Sequence, residues 1–141
     1  MKLDASVIAA EVSPVLSGFS EIVAAYLFGS AAAGQMRPDS DVDIAILLDQ
    51  ESNIDRKKIL ESLLPRLCRP LRADVHLLIL NDASYLVRSQ VLNKGRLIYV
   101  KNSRQLALFR MKSVVFFAEF APYMHQTRKG FQNRIRRKQD A

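Results

Sequence analysis

The sequence predicts a small α/β domain of the α+β kind, with a mixed sheet flanked by helices and a helical extension at its C-terminal end. Short apolar runs of strand length alternate with longer segments in which apolar residues recur every three or four positions. Hydrophobic residues make up 49% of the 141-residue chain, which is enough for one domain with a core of its own. We see neither an internal repeat nor a low-complexity linker.

The first half of the chain is predicted to contain three helices and two strands. The apolar run before Gly29 is typical of a buried central strand, and prolines mark where we expect helices to end or bend. The first four predicted elements are a helix over 4–17, a strand over 22–28, a short helix over 30–34 and a strand over 41–48. The fifth is a helix that begins at Ser52-Asn53. We expect Pro65 to end or bend it and Arg69-Pro70 to close it.

The second half is predicted to add two strands and two helices. We expect a strand over 72–80, a helix from Asn81-Ser84 to about Leu92, a strand over 96–100 and a last helix from about Arg104. Pro122 is expected to break or kink this last helix at Ala121. Its phenylalanines are spaced to pack along one side, namely Phe109, Phe116, Phe117 and Phe120. We expect the chain to divide into a core over 1–101 and a helical extension over 102–141.

A Gly29-Ser30 pair, followed after ten residues by Asp41-x-Asp43, lies between the first two predicted strands. Because side chains alternate along a strand, Asp41 and Asp43 point the same way with Cα atoms about 7 Å apart. Two carboxylates on one face suit Mg²⁺, which commonly binds one or two carboxylates together with substrate phosphates. The alternative is a pair of solvated aspartates, and the fixed spacing from Gly29-Ser30 favours the metal site.

The Gly29-Ser30 pair itself is typical of a phosphate site. Glycine allows a ligand to approach the backbone closely. The Ser30 hydroxyl, with the N–H groups at the start of the short predicted helix, can hold phosphate oxygens. A phosphate site next to a metal-binding pair predicts that the protein handles a nucleoside triphosphate.

This stretch resembles the minimal nucleotidyltransferases of the DNA-polymerase-β-like superfamily, which are marked by Gly-Ser-x10-Asp-x-Asp. The resemblance is close over 28–44, and the order of elements fits over about the first hundred residues. Many members carry a basic residue where this chain has Ala33, and Arg37 lies near enough in sequence to substitute for it. The phosphate contacts that the resemblance implies are Gly29, Ser30, Arg37 and Ser40.

Asp74 is the candidate third acid. It lies in the otherwise apolar third strand, and the resembled superfamily places its third carboxylate there. The alternative is a strand-start aspartate that faces water. Neighbouring His76 shares its strand face and could lie at the rim of the site, although a partly buried structural histidine is the commoner interpretation of such a residue.

The resemblance implies a reaction in which AMP passes from ATP to a hydroxyl and pyrophosphate is released. Two Mg²⁺ ions would be held by Asp41, Asp43 and Asp74. Stand-alone minimal members pair with a HEPN-domain ribonuclease toxin, and the nucleotidyltransferase is the antitoxin of this type VII pair, adding AMP to a toxin tyrosine. Three alternatives stay open: transfer to a small molecule such as an aminoglycoside, a non-catalytic antitoxin that neutralises by binding alone, and nucleic-acid binding through the C-terminal tail.

The net charge of +7 is unevenly distributed. A C-terminal block contains six cations and no acid, namely Arg128, Lys129, Arg134, Arg136, Arg137 and Lys138. Such a block indicates an acidic partner or nucleic acid, and the alternative is a solvated helix end. The single cysteine, Cys68, is expected to be a core thiol. With neither a signal-peptide pattern nor a bilayer-length apolar run, we expect a cytoplasmic protein that does not enter a membrane.

Overall fold

The computed structural model describes residues 3–34, 41–51, 53 and 55–124, without the side chains of 117 and 120–124. The predicted Phe117 and Phe120 contacts and the basic block therefore lie outside the described residues. A short 3₁₀ turn, Leu80–Asp82, also belongs to the fold. In chain order, the main elements are α1 (Ala5–Ser17), β1 (Ile22–Phe28), β2 (Val42–Leu48), α2 (Arg56–Leu71), β3 (Val75–Ile79), α3 (Tyr85–Lys94), β4 (Arg96–Val100) and α4 (Ser103–Met124).

The four strands form one mixed sheet in the order β3-β2-β1-β4. β1 is central and antiparallel to both β2 and β4, whereas β2 and β3 run parallel and are connected through α2. An antiparallel pair needs only a turn between its strands, but a parallel pair needs a crossover, which α2 supplies. The predicted mixed sheet flanked by helices is confirmed.

Each face of the sheet carries a hydrophobic core. Alternate residues of β2, from Val42 to Leu48, pack with α1 and α2 on one face. The intervening residues Ala45 and Leu47 pack on the other face with Leu106 and Phe109 of α4 and with the end of α3. Because both faces are covered, β1 and β2 are apolar along most of their length, as a buried strand requires.

The described helices begin at side-chain caps. The Asp55 carboxylate accepts a hydrogen bond from the Lys57 N–H at 3.0 Å, so α2 begins at Arg56 and the predicted start at Ser52-Asn53 is wrong. Ser84 caps α3 in the same way by accepting from the Val87 N–H at 3.3 Å. An oxygen acceptor placed just before the first turn thus determines both starts.

The prolines do not end the helices. α2 continues through Pro65 to Leu71, one residue beyond the predicted close at Arg69-Pro70. α4 continues through Pro122 to Met124, so neither Pro65 nor Pro122 ends its helix. A proline removes one hydrogen bond from the helix. In α2 the side chains of Ile59, Leu63, Leu67 and Leu71 are buried, and this packing outweighs the loss.

The third strand is shorter than predicted. It covers Val75–Ile79 instead of 72–80, because Arg72 has a left-handed backbone, with φ of 49°, where α2 ends, and Leu80 begins the 3₁₀ turn. Among the described residues, no helix is long and apolar enough to cross a membrane.

Candidate active site

The turn after β1 is the first part of the site. The chain enters it at Gly29, with φ of +71°, and leaves it at Gly34, with φ of +72°. The Ala33 N–H donates to the Gly29 carbonyl at 3.2 Å, which closes a single helical turn. The predicted short helix over 30–34 is therefore wrong, since five residues make too few hydrogen bonds to continue as a helix. A phosphate at this turn would therefore gain little from a helix dipole, and the predicted contacts are local N–H groups and the Ser30 hydroxyl.

Gly29 packs closely against Asp43. A Cβ atom at Gly29 would collide with Oδ2 of Asp43, and the positive φ also disfavours any side chain. Ser30 follows directly and is half-buried. The predicted phosphate turn and the second aspartate of the motif are thus neighbours in space.

The two motif aspartates lie at the start of β2. Asp41 is exposed and lies just before the strand, whereas Asp43 pairs with Phe28 of β1 and its side chain is only 26% exposed. Strand alternation places both aspartates on the same sheet face as Ala45 and Leu47. Further along β2, at Ala45 and Leu47, α3 and α4 cover this face. The predicted common face of Asp41 and Asp43 therefore agrees with the register.

His76 lies on β3 directly beside Asp43. The parallel register pairs these two residues, and Nδ1 of His76 is 3.3 Å from Oδ1 of Asp43. The His76 side chain is 68% exposed, so the structural, partly buried interpretation is wrong. The sequence contains no signal for this contact other than the β2–β3 register, which single-sequence patterns do not specify.

Asp74 lies immediately before β3, and its carbonyl accepts a hydrogen bond from the Val42 N–H at 2.9 Å. Since Asp43 pairs with His76, the same parallel register places Asp74 alongside Asp41. In the part of the chain that the structure describes, no three His, Cys, Asp or Glu side chains are grouped closely enough to hold a metal. Asp74 as a third ligand stays a prediction, and Arg37 and Ser40 lie outside the described residues.

The Asp43 carboxyl is electrostatically unfavourable as an anion. Burial raises its pKa above the ordinary value of 3.8, and the charge of Asp41 raises this pKa further, while His76 opposes the rise. A divalent cation between the two carboxylates would offset the burial of one charge and the repulsion between both. The donor chemistry and the exposure of Asp41 therefore fit a Mg²⁺ ion held by Asp41 and Asp43.

Residues 10–104 match the family model described as polymerase beta, nucleotidyltransferase. The chain belongs to this family. The matched segment contains the Gly29 turn, both motif aspartates, Asp74 and all four strands, so family membership covers the whole candidate site. The resemblance stated from the motif is confirmed.

A curated relative of this nucleotidyltransferase is the protein adenylyltransferase MntA of Shewanella oneidensis. It is 32% identical over 93 residues, which are 65% of this chain and 63% of MntA. The match thus spans less than two thirds of the relative's own length.

Two solved structures share the fold along most of the chain. A chain from the structure of a toxin–antitoxin with AMP-PNP has a TM-score of 0.71 and 24% identity, over 88% of this chain and 98% of its own. A chain from the structure of tri-AMPylated Shewanella oneidensis HEPN toxin with MNT antitoxin has a TM-score of 0.67 and 22% identity, over 91% and 98%. At this identity the likeness shows the fold alone.

Proposed function

We propose that this nucleotidyltransferase is the antitoxin of a type VII HEPN/MNT pair. It transfers AMP from ATP to a tyrosine hydroxyl of a HEPN ribonuclease toxin, which it thereby inactivates. The observation that supports this proposal most directly is the contact between the Gly29 turn and Asp43, with Asp41 on the same face of the sheet. This contact supports a nucleotide site in which the turn binds phosphate beside a carboxylate pair suited to Mg²⁺.

The nucleotide would bind between the turn and the carboxylates. The Ser30 hydroxyl and nearby N–H groups hold phosphate oxygens, and Gly29 leaves room for them because it lacks a side chain. Asp41 and Asp43, together with Asp74 in the full proposal, would hold two Mg²⁺ ions. When bound, Mg²⁺ neutralises charge on the triphosphate and makes the attacking hydroxyl more acidic.

In the transfer step the tyrosine oxygen bonds to the α-phosphorus, and the bond between that phosphorus and the α–β bridging oxygen breaks. Pyrophosphate leaves with the electron pair of the broken bond. Asp74, exposed at the start of β3, is the proposed acceptor of the hydroxyl proton. Most of the rate would come from alignment and charge stabilisation, as in other phosphoryl transfers.

The proposed acceptor is supported by the relatives. MntA, which is 32% identical over the matched segment, is a protein adenylyltransferase. One structure with the same fold contains an AMPylated HEPN toxin with an MNT antitoxin, and another contains AMP-PNP, an ATP analogue. These support ATP as the nucleotide and a HEPN protein as the acceptor.

The test incubates the protein with Mg²⁺, a HEPN-domain protein from the same cells and ATP that is labelled on either the α- or the γ-phosphate. Transfer of the label to the HEPN-domain protein is measured. We expect label on the HEPN protein from the α position only. Replacing both Asp41 and Asp43 by Asn should remove this label, and EDTA should do the same. Asp82→Asn is the matched control, because Asp82 lies in the 3₁₀ turn and pairs with Arg56.

Retention of the γ label would show kinase chemistry and contradict the proposal. Inactivation of the toxin without any label, and equally by the double variant, would identify an antitoxin that acts by binding alone. Mass spectrometry of the labelled protein checks the residue class, since AMP on an amino acid other than tyrosine would overturn that part of the proposal.

A further inference from the structure

Helix α4 is apolar on two opposite sides. Leu106 and Phe109 face the sheet and are buried. On the opposite side the side chains of Leu108, Met111, Val114 and Val115 are 46–61% exposed. A surface helix normally carries polar residues on its outward side, and a helix that is apolar all round is normally buried. This outward stripe therefore indicates a surface that another molecule covers.

The stripe has the shape of a helix-binding surface. With Ala107 and Ala118, which are also exposed, its members recur every three or four residues over a length of about 16 Å. A straight, narrow apolar stripe of this kind fits a second helix lying alongside it. A cavity of about 390 Å³ adjoins the stripe and can receive a bulky side chain; it is lined by Tyr85, Met111, Lys112, Val115, Phe116 and Glu119.

The charges at the borders select the occupant. Arg104, Arg110 and Lys112 are exposed beside the stripe, and Glu119 is the single acid among the exposed charged residues of 103–119. A second copy of this chain, with its net charge of +7, would bring cations against cations. A partner whose stripe is bordered by acidic residues would instead pair with them.

We propose that the outward stripe of α4 docks a helix of the acceptor protein that is apolar along its centre and acidic along its borders. This inference rests on the proposed function, because the docked protein is taken to be the one that receives AMP. α4 packs on the sheet face to which Asp41 and Asp43 point. Docking there holds the acceptor on the reactive side of the sheet and raises the effective concentration of its hydroxyl.

The test uses the full chain with Met111→Glu and Val115→Glu together. Both side chains are more than half exposed, so the double variant should fold, which circular dichroism and thermal unfolding verify. The probes are a HEPN-domain protein from the same cells and a synthetic amphipathic helix whose leucine stripe is bordered by glutamates. We expect binding of both to weaken at least tenfold, and KM for the HEPN protein to rise while ATP affinity stays unchanged.

The matched control is Leu64→Glu, which places the same charge on an exposed leucine of α2, across the sheet from α4. Its binding should stay within twofold of that of the unmodified chain. Lys112→Glu tests the charge argument: it should weaken binding of the glutamate-bordered helix and strengthen binding of a lysine-bordered one. Reversing the border of the helix probe thus checks complementarity independently of the apolar stripe.

Undiminished binding by the double Glu variant would overturn the docking surface. So would a dimer of the unmodified chain that this variant converts to monomers, because the stripe would then bind a second copy. Full AMP transfer to the HEPN protein with unchanged KM would reject the docking surface and leave the proposed function intact. Weakened binding of the synthetic helix without any AMP transfer by the unmodified chain would support the surface and reject the proposed function alone.

Discussion

Nδ1 of His76 lies 3.3 Å from Oδ1 of Asp43, across the parallel pair of β2 and β3. Asp43 also touches the Gly29 turn through its other oxygen, Oδ2. One carboxylate therefore joins three strands of the sheet, since Gly29 directly follows β1. Its charge state and orientation depend on neighbours that are distant in sequence.

Replacing His76 by Ala should shift the acid limb of the activity profile to higher pH. Burial raises the pKa of Asp43, and His76 opposes this rise. Without His76 the pKa of Asp43 is therefore higher, and a higher pH is needed to ionise this carboxyl. The pH dependence of kcat/KM for AMP transfer measures the shift. His76→Gln, which keeps a hydrogen-bond donor, should shift the limb less, and identical profiles for all three proteins would contradict a role for this contact.

Asp43→Asn should abolish transfer and yet raise the stability at neutral pH in the absence of divalent cations. The folded-state pKa of Asp43 is raised, so this group stabilises the fold fully only below about pH 3.8 and loses that contribution as pH rises through the raised pKa. Thermal unfolding at pH 7 should therefore show a Tm a few degrees higher, since about 1 kcal/mol corresponds to roughly 4 °C in a domain of this size.

The difference in Tm should disappear well below pH 3.8, where the Asp43 carboxyl is protonated in both the folded and the unfolded state. Added Mg²⁺ should raise the Tm of the unmodified chain and leave that of Asp43→Asn almost unchanged, because a bound cation stabilises the folded state by mass action. A Tm that Mg²⁺ raises equally in both proteins would place the metal away from Asp43.

Gly29→Ala should destabilise the protein and remove activity. The substitution puts a side chain on a left-handed residue, which costs about 1–2 kcal/mol, and its Cβ would displace the Asp43 carboxylate. Gly34→Ala is a useful control, because φ there is +72° but a Cβ would meet no atom of the described residues within 4 Å. Chemical denaturation should show a loss in both variants, and activity should fall much further for Gly29→Ala.

Tyr26→Phe should raise the free energy of unfolding by about 1 kcal/mol. Tyr26 is 1% exposed, and its hydroxyl has no hydrogen-bond partner among the described residues. An unsatisfied buried polar group is costly, and phenylalanine keeps the packing without that group. Urea unfolding measures the change, and a clear loss of stability would mean that the hydroxyl is satisfied.

Asn81→Ala should lower the free energy of unfolding by about 1–3 kcal/mol. The Asn81 side chain accepts from the Leu48 N–H and donates to the Leu48 carbonyl, both at 2.9 Å, and so replaces a missing strand partner at the end of β2. Asn93→Ala is the control, because Asn93 bonds only to Ser89 at the surface in the described structure. Equal stability of both variants would show that water replaces the Asn81 bonds.

Local patterns were sufficient for most elements and for the motif residues. β1 lies where its apolar run predicts it, because a buried strand must be apolar along its length. β4 also lies at its predicted position, although its residues are exposed or only partly buried. Pro65 does not end α2 and Pro122 does not end α4, and in α2 core packing retains a helix that a proline weakens. The short helix after Gly29 failed because helix formation needs more residues than that turn contains.

The order of residues along the chain was enough to select candidate metal and phosphate ligands, since alternation along one strand places Asp41 and Asp43 together without any long-range contact. Which residues surround them depends on how the strands pair. The parallel register brought His76 to Asp43 and Asp74 alongside Asp41, and the antiparallel register brought the Gly29 turn against Asp43. The β2–β3 pairing joins residues 33 positions apart, such as Val42 and Val75, and no local propensity specifies which residues will meet.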